Sequence, residues 1–210
     1  MSRLIAFGCS HVKGEGLSDV YDEKQKKSID GKHSKFAFPQ LVAEHLKIPC
    51  LNFSQGGTSN KKIWRNVIDY SKEIKPDDIV IIQWTYLERT AVFYNDRDQG
   101  RQIGFQHVRG SRIDPIDRSW FEYMFSRFDQ RLDLFLRSDH ITKTLDCNLH
   151  QFRVSSDILD PDHTIPEWVD NKINFTGIND FAVDKALDHS HYGTESHKKF
   201  AQHILQKLGV

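Results

Sequence analysis

The apolar positions of this chain fall into short runs divided by polar stretches, and their spacing switches between strand and helix periods. Leu4 to Phe7 is a compact apolar run that stops at Gly8, the pattern of a buried parallel strand. Phe38, Leu41, Val42, His45 and Leu46 then recur at helical spacing, with Pro39 acceptable in a first turn. Pro49-Cys50-Leu51-Asn52-Phe53 predicts a second strand. Gly56-Gly57-Thr58-Ser59-Asn60 turns from it into a helix through Ile63, Trp64, Val67, Ile68 and Tyr70, with Thr58 or Ser59 as N-cap. Pro76-Asp77-Asp78 introduces Ile79-Val80-Ile81-Ile82-Gln83-Trp84, whose consecutive β-branched residues suit a central strand covered on both faces.

Strand, helix, strand, helix, strand predicts right-handed crossovers and an α/β fold on a parallel sheet. The rest of the pattern is weaker. Residues 12 to 35 are polar, Lys-rich and punctuated by glycine, and predict a long surface loop. Residues 93 to 116 predict irregular structure. Ser119 to Leu145 carries Trp120, Tyr123, Met124, Phe128, Leu132, Phe135, Leu136 and Ile141 at helix-like spacing, with a break expected near Ser138. His150 to Val154 is a weak strand signal, and 155 to 187, with Pro161 and Pro166, predicts loop and short helical pieces. His197 to Leu208 predicts a terminal helix with Phe200, Ala201, Ile204, Leu205 and Leu208 on one face. No repeat or low-complexity tract interrupts the chain, so one domain over 1–210 is expected, with insertions near 12–35 and 93–116.

Composition narrows the function classes. Lys plus Arg equals Asp plus Glu at 29 each, so no global field favours nucleic acid or an anionic membrane. No window holds 18 consecutive apolar residues, the length a spanning helix needs. The N-terminal run enters a strand pattern at once, without the layout of a signal peptide. Cys9, Cys50 and Cys147 are odd in number and widely spaced, which argues for a reducing compartment over a disulfide framework. The sequons Asn52-Phe53-Ser54 and Asn174-Phe175-Thr176 are then accidental. A cytoplasmic protein fits, as does a component of a virus particle.

Two short motifs at opposite ends of the chain carry the chemistry. Phe7-Gly8-Cys9-Ser10-His11 closes the first strand, and Asp188-His189-Ser190-His191-Tyr192-Gly193 precedes the last helix. They supply a hydroxyl, a carboxylate and an imidazole, the parts of a nucleophilic hydrolase. Only a fold that gathers strand ends along one edge could unite them. Taken alone, Ser10 reads as an N-cap or turn serine, and Cys9, the rival nucleophile, as a small buried hydrophobe. Asp188 stands three positions before His191, so a tight turn can aim the carboxylate at the ring; the plain alternative is a hydrogen-bonded turn capping the helix. A metal reading through His189, His191 and His197 lacks a paired ligand motif. Trp84, Trp120 and Trp168 are candidates to line a cleft, although large aromatics are mostly structural. Phe121, Phe125 and Phe128 read as core.

In these blocks and their order the chain resembles the SGNH/GDSL hydrolase family of esterases, lipases and carbohydrate deacetylases. Gly8-Cys9-Ser10 resembles the family's G-D-S block, with Cys9 in place of its aspartate. Asn52-Phe53-Ser54-Gln55-Gly56-Gly57-Thr58 is similar to the second block, and Asp188-His189-Ser190-His191 with the following helix to the final D-x-x-H-P block. The resemblance implies a three-layer α/β/α sandwich with a flavodoxin-like sheet. It also implies hydrolysis of an ester, such as an O-acetyl group on a carbohydrate, without metal or cofactor. Ser10 would be nucleophile, His191 general base and Asp188 its orienting carboxylate, with the Ser10 and Gly57 N–H groups in the oxyanion hole.

The third block departs from the family. After the central strand the chain reads Thr85-Tyr86-Leu87-Glu88-Arg89, so Leu87 stands where the family's oxyanion asparagine would be. Losing one such donor costs about 3–4 kcal/mol of transition-state stabilisation. Asn60, Thr85 and Arg89 are the candidate replacements, Asn60 first. A literal Gly177-Ile178-Asn179-Asp180 lies elsewhere, just before Asp188, and reads as a chance match. The missing asparagine and the two insertions leave a second reading open, a catalytically silent binding or structural protein on the same fold.

Overall fold

The computed structural model describes residues 2–94, 104–108, 126–154 and 173–210. The apolar run Leu4–Phe7 forms β1, and all four side chains are buried. It lies between β4 (Cys50–Asn52) and β5 (Ile79–Trp84); β5 pairs with β8 (Asn148–Arg153), and β8 with β9 (Ile173–Gly177). Every pairing is parallel, and the spatial order is β4-β1-β5-β8-β9. Numbered by chain order among themselves these five strands run 2-1-3-4-5, the flavodoxin-like arrangement. Two small antiparallel hairpins stand apart from this sheet, β2 (Tyr21–Asp22) with β3 (Lys27–Ser28), and β6 (Thr90–Tyr94) with β7 (Gly104–Val108).

Period-two alternation in the central strands divides the core in two. Leu4, Ala6 and Ile81 face α2 (Phe38–Leu46) and α5 (Thr194–Leu208), packing with Phe38, Val42, Phe200 and Ile204. Ile5, Phe7, Val80 and Ile82 face α3 (Asn60–Tyr70) and α4 (Arg127–Thr144), packing with Ile63, Val67, Leu134 and Ile141. The result is a three-layer α/β/α sandwich. Strands covered on both faces explain why β1 and β5 read as unbroken apolar runs. Among the described residues no helix is long and apolar enough to cross a membrane.

Several local expectations are corrected. The stretch 12–35 is not all loop: it opens in α1 (Ser10–Lys13) and contains the β2–β3 hairpin. The insertion near 93–116 overlaps the β6–β7 hairpin, built on the β-prone run Thr90-Ala91-Val92-Phe93-Tyr94. Helix α4 passes unbroken through Ser138. That residue is fully buried, and Gln151 of β8 reaches its carbonyl at 3.5 Å, so a small side chain lets helix and strand approach. Ile173–Gly177 is a strand where loop was expected, because β8 offers it a parallel edge. Trp84 does not line a cleft: it is fully buried, its indole N–H donating to Gln151 Oε1 at 2.9 Å. Trp120, Trp168, residues 119–125 and the prolines at 161 and 166 lie outside the described residues.

Candidate active site

Ser10 is placed by a tight exit from β1. A side chain at Gly8 would meet Val12 Cγ2 at 2.2 Å and the Gln83 carbonyl at 3.1 Å, so the chain turns here without a Cβ. Cys9 stays extended, and Ser10 opens α1, 3% exposed. The helix ends after one turn at Gly14 (φ +78°), whose N–H returns to the Ser10 carbonyl at 2.9 Å. Cys9 itself is buried among Leu4, Ala6 and Val12.

The end of β4 is laced to the same corner. Phe53 N–H donates to the Ala6 carbonyl at 2.8 Å, Gln55 N–H to the Gly8 carbonyl at 3.1 Å, and Asn52 Nδ2 to the Val12 carbonyl at 2.9 Å. The Gly56–Gly57 turn therefore stands beside the end of β1, with Gly57 in the left-handed region at φ +68° that favours glycine. The Glu15 carboxylate lies against this turn: a Cβ built on Gly56 would fall 2.1 Å from Glu15 Oε1.

The Asp188–His191 pair is built by a turn through His189, at φ +57°. Asp188 Oδ1 accepts the N–H groups of Ser190 and His191, each at 3.0 Å, and Oδ2 meets His191 Nδ1 at 2.6 Å. Burial pushes the Asp188 carboxyl up, but the His191 and Ser190 N–H groups and the His191 ring outweigh it and hold it below its ordinary value. A carboxylate on Nδ1 fixes the ring proton there in the neutral imidazole and leaves Nε2 as the acceptor.

This turn docks on the segment that starts with Ser10. Leu187 N–H donates to the Gly16 carbonyl at 2.9 Å, and a Cβ on Gly16 (φ +81°) would strike the Asp188 carboxyl at 2.5 Å. The His191 ring packs edge-on against His11, the neighbour of Ser10, with centroids 5.2 Å apart, and His11 also stacks on Tyr192 at 5.2 Å. Burial first, then the charges of His191 and His197, hold His11 well below the ordinary imidazole value, so it stays neutral. His191 Nε2 lies 4.0 Å from Glu15 Oε2, and Glu15 Oε1 is paired with Lys13 Nζ at 2.9 Å. The two terminal motifs thus share one corner at the carboxyl ends of β1 and β4, with Glu15 reaching between His191 and the glycine turn.

The remaining candidates divide. Asn60 is buried at the first residue of α3 and is turned to the end of β5: Nδ2 donates to the Thr85 carbonyl at 3.1 Å, and Oδ1 accepts the Thr85 N–H at 2.7 Å. Thr85 Oγ1 accepts from Arg89 Nη1 at 3.3 Å, and the Arg89 guanidinium lies 5.0 Å above the Tyr86 ring. Leu87 is buried with the α3/α4 face of the core. The Gly177-Ile178-Asn179-Asp180 segment closes β9 and enters a single 3-10 turn, with Ile178 in the core and Asp180 Oδ2 accepting the Gly177 N–H at 2.8 Å. His197 faces the interior, accepting the Phe38 N–H on Nδ1 at 3.2 Å. Among the described residues no group of three His, Cys, Asp or Glu side chains is arranged to hold a metal ion.

Glu15, Gly16 and His11 escaped the reading of the sequence. Gly16 left a trace in the glycine punctuation of 12–35. Glu15 left none, since a glutamate in a polar stretch looks the same whether it faces solvent or a cleft.

A doubly wound sheet of 2-1-3-4-5 order, with its candidate site outside the carboxyl ends of the strands, defines the architectural class. No protein-family model matches this chain, and no curated protein sequence matches it. Solved structures do. One is a carbohydrate esterase whose active site displays divergent catalytic and non-catalytic binding functions, with 14% identity over 99% of this chain and 68% of that one, TM-score 0.56. Another is an acetyl xylan esterase from the rumen bacterium Butyrivibrio proteoclasticus, also 14% identical, covering 99% of this chain and 64% of that one, TM-score 0.54. A carbohydrate acetylesterase family member from Sinorhizobium meliloti is 10% identical, with both chains covered in full, TM-score 0.55. At these identities the likeness shows the fold.

Proposed function

We propose that this chain is a serine hydrolase that cleaves an ester, an O-acetyl group on a carbohydrate being the substrate class that the structural neighbours favour. The observation that carries the reading is the 2.6 Å contact between Asp188 Oδ2 and His191 Nδ1, held against the segment that begins at Ser10. Ser10 Oγ attacks the acyl carbon as His191 Nε2 takes its proton. The tetrahedral oxyanion is stabilised by the N–H groups of Ser10 and Gly57. Collapse expels the alcohol, which receives the proton from His191, and leaves an acyl-Ser10 ester. Water, deprotonated by His191, then attacks that ester, releasing the acid and restoring Ser10. Asp188 keeps the tautomer and stabilises the imidazolium. No step calls for a metal or cofactor, so a chelator leaves turnover intact.

A fluorophosphonate probe tests this directly. Labelling at Ser10 that disappears in His191→Ala supports the hydrolase; a folded chain that stays unlabelled overturns it. Two observations favour the rival reading, a silent binding protein. The Asn60 amide spends its oxygen and one of its two N–H groups on the Thr85 backbone, and Leu87, in the place of the family's asparagine, is buried in the core with no donor to offer.

A further inference from the structure

We propose that Glu15 positions the water that hydrolyses the acyl-Ser10 ester, holding it jointly with His191. The assignment rests on the hydrolase reading and concerns its second half-reaction. Glu15 is tied to the segment that presents the nucleophile, since its N–H donates to the Ser10 carbonyl at 3.0 Å, beside the Gly14 N–H at 2.9 Å. Its carboxylate is fixed as well. Lys13 Nζ holds Oε1 at 2.9 Å, with the two side chains only 20% and 11% exposed. Gly56 leaves the room for it. That glycine lies outside the left-handed region that Gly57 occupies, so its φ does not call for glycine. A Cβ there would fall 2.1 Å from Oε1 and 2.8 Å from Oε2, so the carboxylate does.

With Oε1 taken by Lys13, Oε2 is the oxygen turned to His191, 4.0 Å from Nε2. That separation is too long for a direct hydrogen bond. It suits two acceptors that share one water, which stand about 4.4 Å apart when each takes an O–H at about 2.8 Å. Asp188 on Nδ1 at 2.6 Å keeps Nε2 an acceptor. The water then donates one O–H to Nε2 and the other to Oε2. As its oxygen attacks the acyl carbon, the first proton passes to Nε2, while the second stays on oxygen and leaves with the acid. Collapse expels Ser10 Oγ, which recovers the proton from Nε2. Glu15 gains no proton; it fixes the attack geometry. In the first half-reaction the same position holds the leaving oxygen, which carries carbon in place of the second hydrogen, so Oε2 has nothing to accept.

Quenched-flow with p-nitrophenyl acetate reads the two halves apart. Nitrophenolate release reports acyl formation, and the intact mass of the acetyl adduct reports its hydrolysis. In Glu15→Gln, Lys13 claims the amide oxygen and turns the NH2 group to the water, a donor where an acceptor is needed. Both halves share one oxyanion hole, so any effect of the Glu15 charge on it cancels in the ratio of hydrolysis to formation. That ratio should fall by about 10–100-fold in Glu15→Gln and in Glu15→Ala, each checked for native circular dichroism. An unchanged ratio overturns the assignment and leaves the hydrolase reading in place, as does fluorophosphonate labelling with no acetyl adduct in either variant. An unsubstituted chain that takes neither acetyl nor fluorophosphonate removes the hydrolase reading, and the role of Glu15 with it.

Discussion

Asp188 takes part in the candidate site at both ends of its carboxylate, one oxygen shaping the turn and the other holding the imidazole. Asp188→Asn keeps the size but presents an amide that cannot favour the Nδ1–H tautomer. We expect the rate of Ser10 labelling to fall by about 10³–10⁴-fold in stopped-time fluorophosphonate assays, with little change in melting temperature. Glu15 acts in the opposite sense. Its carboxylate lies against Gly56, beside the Gly57 N–H proposed for the oxyanion, and under that proposal its negative charge would oppose the charge developing there. Lys13 offsets part of it. Glu15→Gln should therefore speed labelling by about fivefold, some 1 kcal/mol; an unchanged or slower rate would place Glu15 outside the reacting centre.

At the scale of elements, helix α5 shows how a boundary can be invisible in the local pattern. Sequence spacing starts it at His197, but it begins at Thr194. Its N-cap is Gly193, which has no side chain to offer, and Asp184 fills the role from ten residues upstream of the helix start. Asp184 accepts the N–H groups of Glu195 at 3.1 Å and Ser196 at 2.8 Å, and the Ser196 hydroxyl at 2.6 Å. A Cβ at Gly193 would collide with the same carboxylate at 2.2 Å. Asp184→Ala should cost about 1–2 kcal/mol in urea denaturation, the usual range for a lost cap. A local cap is readable from sequence: Ser59, at the turn into α3, accepts the Lys62 N–H on its hydroxyl at 3.4 Å.

For the molecule as a whole, the buried imidazoles couple stability to pH. Burial lowers His197 to about 4 and holds His11 well below its ordinary value. Both regain an ordinary value of about 6.5 when the chain unfolds. Between those limits the unfolded chain binds protons that the native chain refuses, so stability is full above about pH 6.5 and falls as the pH drops. The slope should reach at least two protons, about 2.7 kcal/mol per pH unit, between roughly pH 6 and 5 in urea titrations, with His150 and His203, also held low by burial, adding to it. His197 Nδ1 accepts the Phe38 N–H and its ring stacks on Phe38 at 6.0 Å, so protonation strikes the joint between α2 and α5. Asp78, Asp184 and Asp188, all lowered in the native state, extend the loss below about pH 4.

What the sequence determined by itself was set by short-range periodicity. Leu4–Phe7, Ile79–Trp84 and Phe38–Leu46 were legible because an apolar run, or apolar residues at helical spacing, dictates burial wherever the element lands. The D-x-x-H turn was legible for the same reason, since Asp188 reaches His191 within a single turn. Tertiary structure decided everything that depends on residues distant in the chain. It turned Asn60 toward the backbone of Thr85, gave α5 its cap from Asp184, and set Glu15 between His191 and Gly56. No local preference separates these polar side chains from solvated ones; only the sheet order, which brings the ends of β1, β4 and β5 to one edge, gives them their partners.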